Sequence, residues 1–336
     1  MNTLGITSTT KKQAARLTEK ERFIKTLKRE KVPGLAPTFE LVFYLTMEKF
    51  GKVHPLHRSF SQWNQMSAKE KELQIADAAW IYVETAKNYS HSAIFVHPNP
   101  WDFENIERLL TKIREMTGDE YYLCMHGDPT FPIPEGNNMV EFSARLYEDP
   151  DGIIKDQETA MENMLDFAEK INKTGKLLDG FTMCSDYCFN VNPYYSPELF
   201  GDLIAPTLAK TIDAYRKLGF YTIKHTDGNI MPIIDQLVDC KPDALHSLDP
   251  QGGVDLKYVS EHYGDKVALC GNVNCAHLQT GTDEEVAVDV RRSLRDGMAR
   301  GSGYIFCTSN CVYTGMALER YELMMKIWRE NGAYKS

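Results

Sequence analysis

The stretch Tyr221-Thr-Ile-Lys-His225-Thr-Asp227-Gly228-Asn229 puts an imidazole and a carboxylate two residues apart at the end of an apolar run. In extended chain, side chains at i and i+2 share a side, so His225 and Asp227 can offer a nitrogen and an oxygen to one ligand. Gly228 and Asn229 can supply the positive φ of a sharp turn. Two plainer roles compete: a backbone hydrogen bond for His225 and a helix cap for Asp227. Cys275 in NVNC and Cys311 in TSNC lie just past apolar runs, where a thiolate could reach a shared metal ion. With His225 or Asp249 as further donors, the mixed N/S/O set would suit Zn²⁺. Cys270 and Cys307 sit inside the runs VALC and YIFC and read as small buried hydrophobes. Cys184 and Cys188 of CSDYC have no second C-x-x-C beside them and read as structural, while Asp186 and Tyr187 between them read as substrate-binding groups.

These groups need a scaffold that gathers distant residues. Short β-branched or aromatic runs ending in a polar residue alternate with longer amphipathic stretches, the pattern of βα units. Eight such runs are expected, at 34–41, 92–97, 121–127, 180–187, 220–226, 243–248, 267–272 and 304–309, and eight parallel strands predict a single (β/α)₈ barrel in the α/β class. A doubly wound open sheet is the alternative, but no G-x-G-x-x-G follows the first run. Helices are expected over 197–218 and 283–301. Thr18, with Glu21 three residues on, predicts a capping box in a leading helical extension. The expected division is an arm over 1–20 and one barrel domain over 21–336. In a barrel the chemistry lies at the C-terminal strand ends, here Glu40, His97, His126 with Asp128, Asp186 with Tyr187, His225 with Asp227, Asp249, Asn272 with Cys275, and Asn310 with Cys311.

Composition narrows the function. The 336 residues are 43% hydrophobic and 25% charged, as in a chain that folds by core burial. A net charge of −9 argues against a nucleic-acid partner. No apolar run is long enough to span a membrane, and eight cysteines without an export signal read as thiols in a reducing cytoplasm.

The segments HTDGN, DALHSLDPQGGVDL, YGDKVALCGNVN, TGTDEEV and the closing ENGAY resemble the uroporphyrinogen decarboxylase superfamily. The resemblance covers residues 21–334, is specific in the C-terminal half, and implies the same barrel. Decarboxylases of this superfamily carry an arginine-bearing N-terminal segment for a polycarboxylate substrate. The corresponding stretch here, residues 37–46, contains Glu40 and no arginine. The other branch, corrinoid-dependent methyltransferases, is similar in length and in a thiol at the last strand end, matched by Cys311. Members that methylate thiols show His-x-Cys where this chain has His225-x-Asp227.

The resemblance therefore implies a methyltransferase that moves a methyl group from a small methylated substrate, such as an aromatic methyl ether, to the cobalt of a separate corrinoid protein. In this reading zinc is held by His225, Cys275 and Cys311 with Asp249 or Asp227. Asp186, Tyr187 and His126 orient the substrate, and Asn272 and Asn310 contact the cofactor. The corrinoid is expected on a partner, because no D-x-H-x-x-G segment is present. The alternatives are a metal-free lyase acting on a small carboxylic acid, a methylcobamide:thiol methyltransferase and a non-enzymatic docking module.

Overall fold

The computed structural model describes residues 16–335. Most of the expected arm, residues 1–15, lies outside them. Its end is the helix Glu19–Leu27, where Thr18 Oγ1 accepts from the Glu21 backbone and Glu21 returns the bond to Thr18 N, closing the capping box that the sequence predicts.

Seven parallel strands form one sheet in sequence order: β1 (Ala93–Val96), β2 (Tyr122–His126), β3 (Gly180–Met183), β4 (Tyr221–His225), β5 (Ala244–His246), β6 (Ala268–Cys270) and β7 (Tyr304–Ile305). Helices connect them, among them Phe103–Thr117, Pro150–Lys173 and Asp283–Gly297. The expected eighth strand, at 34–41, does not form a ladder. Pro33 and Pro37 remove backbone donors from that segment. What remains are single bonds, Phe306 N to Pro37 O at 2.8 Å on one side and Ser92 N to Thr38 O at 2.6 Å on the other.

The sheet is curled. Side chains from six of its strands, including Phe95, Tyr122, Cys124, Ile223, Ala244, Cys270 and Ile305, meet in one cluster with Phe39 and with Phe23 of the first helix. Small residues at Ala93, Ala244 and Ala268 make room for the aromatic rings, with Phe23 4.7 Å from Tyr122 and 5.6 Å from Phe39 between centroids. Cys270 and Cys307 are core residues, as their apolar neighbours suggest. The other face packs against the helices. The helix expected over 197–218 is interrupted: after Pro197–Leu199 comes a π turn at Phe200–Ile204, and regular helix runs over Ala205–Lys217, with Pro206 lacking the N–H that would bond back across the break. The helix from Asp283 stops at Gly297, and a 3₁₀ turn ends at Gly301 with φ +74°. Among the described residues no helix is long and apolar enough to cross a membrane.

Candidate metal centre at the strand ends

β4 ends on His225, and the chain turns at once through Thr226 and Asp227 to Gly228, whose φ is +80°. A Cβ at Gly228 would lie 2.4 Å from Phe189 O, so a larger residue could not make the turn against the 189–195 loop. Asn229 does not share the positive φ; its Oδ1 accepts from Met231 N at 3.2 Å across the turn, and Asp227 caps no helix.

Asp186, His225 and Asp227 each offer a donor atom, and the three lie within 4.8 Å of one another. His225 Nε2 is 3.6 Å from Asp186 Oδ1 and 3.8 Å from Asp227 Oδ1. Those gaps are too long for hydrogen bonds. Donors about 2.1 Å from one tetrahedral ion would stand about 3.4 Å apart, so the spacing suits three groups converging on a cation. The residues therefore fit a bound metal ion. A nitrogen and two carboxylates form a harder set than the thiolate-rich one expected from sequence.

Neighbouring groups hold the carboxylates in place. Asp227 Oδ1 accepts from Ser247 Oγ at 2.8 Å, its Oδ2 accepts from the Asn310 amide, and its backbone N–H donates to Asp186 Oδ1 at 2.9 Å. Ser247 and Leu248 both take left-handed φ, +78° and +50°, and this strained turn after β5 delivers the Ser247 hydroxyl. Burial, reinforced by the charge of Asp186, pushes the Asp227 carboxyl up to about 8. Burial pushes the His225 imidazole down to about 4. Burial is the leading cause of both shifts, and it disfavours the charged form of each group. No ammonium or guanidinium pairs with Asp186, Asp227 or Asp249 among the described residues.

The other expected ligands lie around this trio. Asp249 is tied to backbone, accepting from Gln251 N at 2.9 Å and Gly228 N at 3.3 Å, and it does not join the cluster. Cys275 is buried; its thiol reaches toward Cys311 O at 3.6 Å, and burial pushes it up to about 12. Cys311 is half-buried, and its thiol is pushed up by burial and then by the charges of Cys275, Asp227, Glu40 and Asp186. Neither cysteine completes the cluster of three. All eight cysteines are free thiols.

Of the groups expected to meet substrate or cofactor, Asp186 is 44% exposed at the mouth. His126 is half-buried at the end of β2, with its pKa lowered by burial. Asn310 reaches the cluster through Asp227. Tyr187 and Asn272 are not brought to the mouth. Tyr187 is fully buried, with its hydroxyl 2.5 Å from Thr130 Oγ1 and its ring 4.1 Å from the Lys224 ammonium. Asn272 is buried between Leu248 O, which takes its amide proton at 2.6 Å, and Arg292, which donates to its Oδ1 at 3.0 Å.

Two partnerships escaped the sequence reading. Lys224, one residue before His225 and so on the opposite face of β4, is fully buried and donates to Asp128 Oδ2 at 2.7 Å and Ser185 O at 2.8 Å. His246, at the end of β5, lies beside His225 in the parallel register, with the two Nδ1 atoms 2.8 Å apart. The signal for His246 was its place in DALHSLDP, one strand over from HTDGN.

A curled parallel α/β sheet with a carboxylate–imidazole cluster at its C-terminal strand ends is the arrangement of an α/β enzyme, and the cluster could hold a metal ion. The family model for Uroporphyrinogen decarboxylase (URO-D) matches residues 135–331, and the chain belongs to that family. A search of curated protein sequences found no match. Among solved structures, a methyltransferase from Methanosarcina mazei is similar with a TM-score of 0.70 at 16% identity, covering 94% of this chain and 99% of that one. A D-psicose 3-epimerase from Clostridium cellulolyticum H10 aligns with a TM-score of 0.45 at 11% identity, over 76% of this chain and 86% of that one. At 16% identity the likeness to the methyltransferase is one of fold.

Proposed function

We propose that the protein is a methyltransferase that takes a methyl group from a small methylated substrate, such as an aromatic methyl ether, and delivers it to the cobalt of a separate corrinoid protein. The observation that carries this reading is the convergence of Asp186, His225 and Asp227 at hydrogen-bond-breaking distances in an open mouth. The family and the methyltransferase-like fold support it. In this reading residues 21–336 act as one domain, the Pro37–Thr38 segment closes the curled sheet as an eighth staff, and the protein works in the cytoplasm.

Zinc, when bound, would supply Lewis-acid help to a poor alkoxide or phenoxide leaving group. His225, Asp227 and Asp186 would hold it, with the half-buried Cys311 a candidate for a fourth donor. Ser247 and Asn310 aim the Asp227 carboxylate, so little reorganisation is needed on binding. His126 stays neutral near pH 7 and can orient an uncharged substrate from the neighbouring strand. No ammonium or guanidinium pairs with Asp186, Asp227 or Asp249 among the described residues, so the site offers no side-chain cation for a carboxylic acid, which favours this reading over the lyase alternative.

The test mixes the protein with cob(I)alamin and, in turn, methoxylated aromatics, methylamines and methanol, and follows methylcobalamin by absorbance. One of these substrates should methylate cobalt. If none does while a carboxylic acid loses CO₂, the lyase reading replaces this one.

A further inference from the structure

His225 and His246 meet through their Nδ1 atoms at 2.8 Å, and both side chains are buried. The parallel register sets His225 opposite His246, so the rings rise from adjacent strands on one face, with centroids 5.0 Å apart. The edge of the His246 ring is packed 5.8 Å from Phe39, between centroids.

An N···N contact this short holds a single proton. Two N–H groups would collide there, and two lone pairs would repel. One ring must donate and the other accept, and that choice decides which far nitrogen carries hydrogen. His225 Nε2 looks toward two carboxylate oxygens at 3.6 and 3.8 Å yet bonds to neither. A proton on that atom would draw a carboxylate in to about 2.8 Å. The gap belongs to a lone pair.

We propose that His246 is a positioning residue: its Nδ1 accepts the Nδ1 proton of His225 and so fixes His225 in the tautomer whose Nε2 lone pair faces Asp186 and Asp227. His246 Nε2 then holds a proton; the atom is buried, and the Thr308 backbone is the group that favours a proton on this ring. The inference rests on the reading of the three donors as a metal site, because a directed lone pair is useful only when a cation is held there.

The experiment uses the full chain labelled with ¹⁵N-histidine. Two-bond proton–nitrogen correlations report the His225 tautomer in the metal-free protein, and competition with a chromophoric chelator reports zinc affinity. Two variants are compared with wild type: His246→Leu, which removes the acceptor, and His246→Asn, whose Oδ1 can take the Nδ1 proton. Wild type and His246→Asn should show hydrogen on His225 Nδ1 and bind zinc within a few-fold of each other. His246→Leu should lose that tautomer and bind zinc roughly 10–100-fold more weakly. If His246→Leu does not fold, the wild-type spectrum and His246→Asn decide. Hydrogen on Nε2 in wild type, or zinc affinity in folded His246→Leu equal to wild type, overturns the proposal. Absence of zinc binding in wild type with hydrogen on His225 Nδ1 would instead sink the metal reading and leave the positioning intact.

Discussion

Two charged clusters share the C-terminal end of the sheet. Around Lys224 and Asp128, both side chains are fully buried and the carboxylate is satisfied: Asp128 accepts from Lys224 Nζ at 2.7 Å, Thr130 Oγ1 at 2.6 Å, Thr130 N at 3.0 Å and Ser185 N at 3.1 Å. Burial alone would raise the Asp128 carboxyl, and Lys224 with Thr130 overcomes it and holds it low. Around His225, only a few residues away, the carboxylates stay partly exposed and the imidazole bonds to neither. Residue type does not separate these clusters, since each contains aspartate and a basic side chain. Closure does: the carboxylate of the first cluster is paired with an ammonium, and those of the second have no ammonium or guanidinium partner among the described residues.

The contrast breaks first if the closed cluster proves dispensable. Lys224→Met leaves Asp128 buried without its counter-charge and should cost about 3–5 kcal/mol in urea unfolding. Replacing both partners with apolar residues should recover much of that loss. A wild-type unfolding midpoint for Lys224→Met would show that the pair is not structural.

At the open cluster the effects should fall on metal retention rather than stability. His225→Ala and Asp227→Asn should lose zinc by more than the roughly 10–100-fold that loss of a supporting partner costs. Asp227→Asn should change the unfolding midpoint little near neutral pH, because a carboxyl held at about 8 is already largely protonated there. A large drop in its stability would make this cluster structural as well.

The pH dependence has a definite sign. In the metal-free protein the Asp227 carboxyl sits at about 8, so protons compete with the ion below that value. Zinc affinity should rise from pH 6 to 8 by at most about tenfold per pH unit and then level off. Asp227→Asn should remove Asp227's part of the slope. A flat wild-type profile would mean that Asp227 does not ligate the ion.

The cysteines sharpen the comparison with a smaller effect. Cys311→Ser and Cys275→Ser should lower zinc retention, Cys311 more because it is the less buried, while Cys184→Ser and Cys188→Ser should not. Equal retention in all four variants would make the late cysteines structural.

What could be read from the sequence follows from range. The i, i+2 spacing of His225 and Asp227 is local, and it brought both donors to one place. The capping box at Thr18 is local too. The run at 34–41 makes single bridges rather than a ladder, and Pro37 within it, which has no backbone donor, is a local signal that the regular repeat of the other runs outweighed. Lys224 was out of reach because its burial depends on Asp128, 96 residues away in sequence. His246 was hidden for a related reason. The polar strand-end pattern pointed to Asp249, whereas β5 ends three residues earlier, and only the β4–β5 register brings the two imidazoles together. Tyr187 and Asn272 looked like mouth residues because they follow apolar strands, and the chain after β3 and β6 turns them into packing instead.

The central claim is that Asp186, His225 and Asp227 hold a metal ion, and anomalous diffraction from crystals grown with one equivalent of zinc tests it most directly. The account predicts one anomalous peak at the zinc edge within about 2.2 Å of His225 Nε2 and of a carboxylate oxygen of Asp227. A peak elsewhere with none between these residues, or no bound zinc at all, would contradict it.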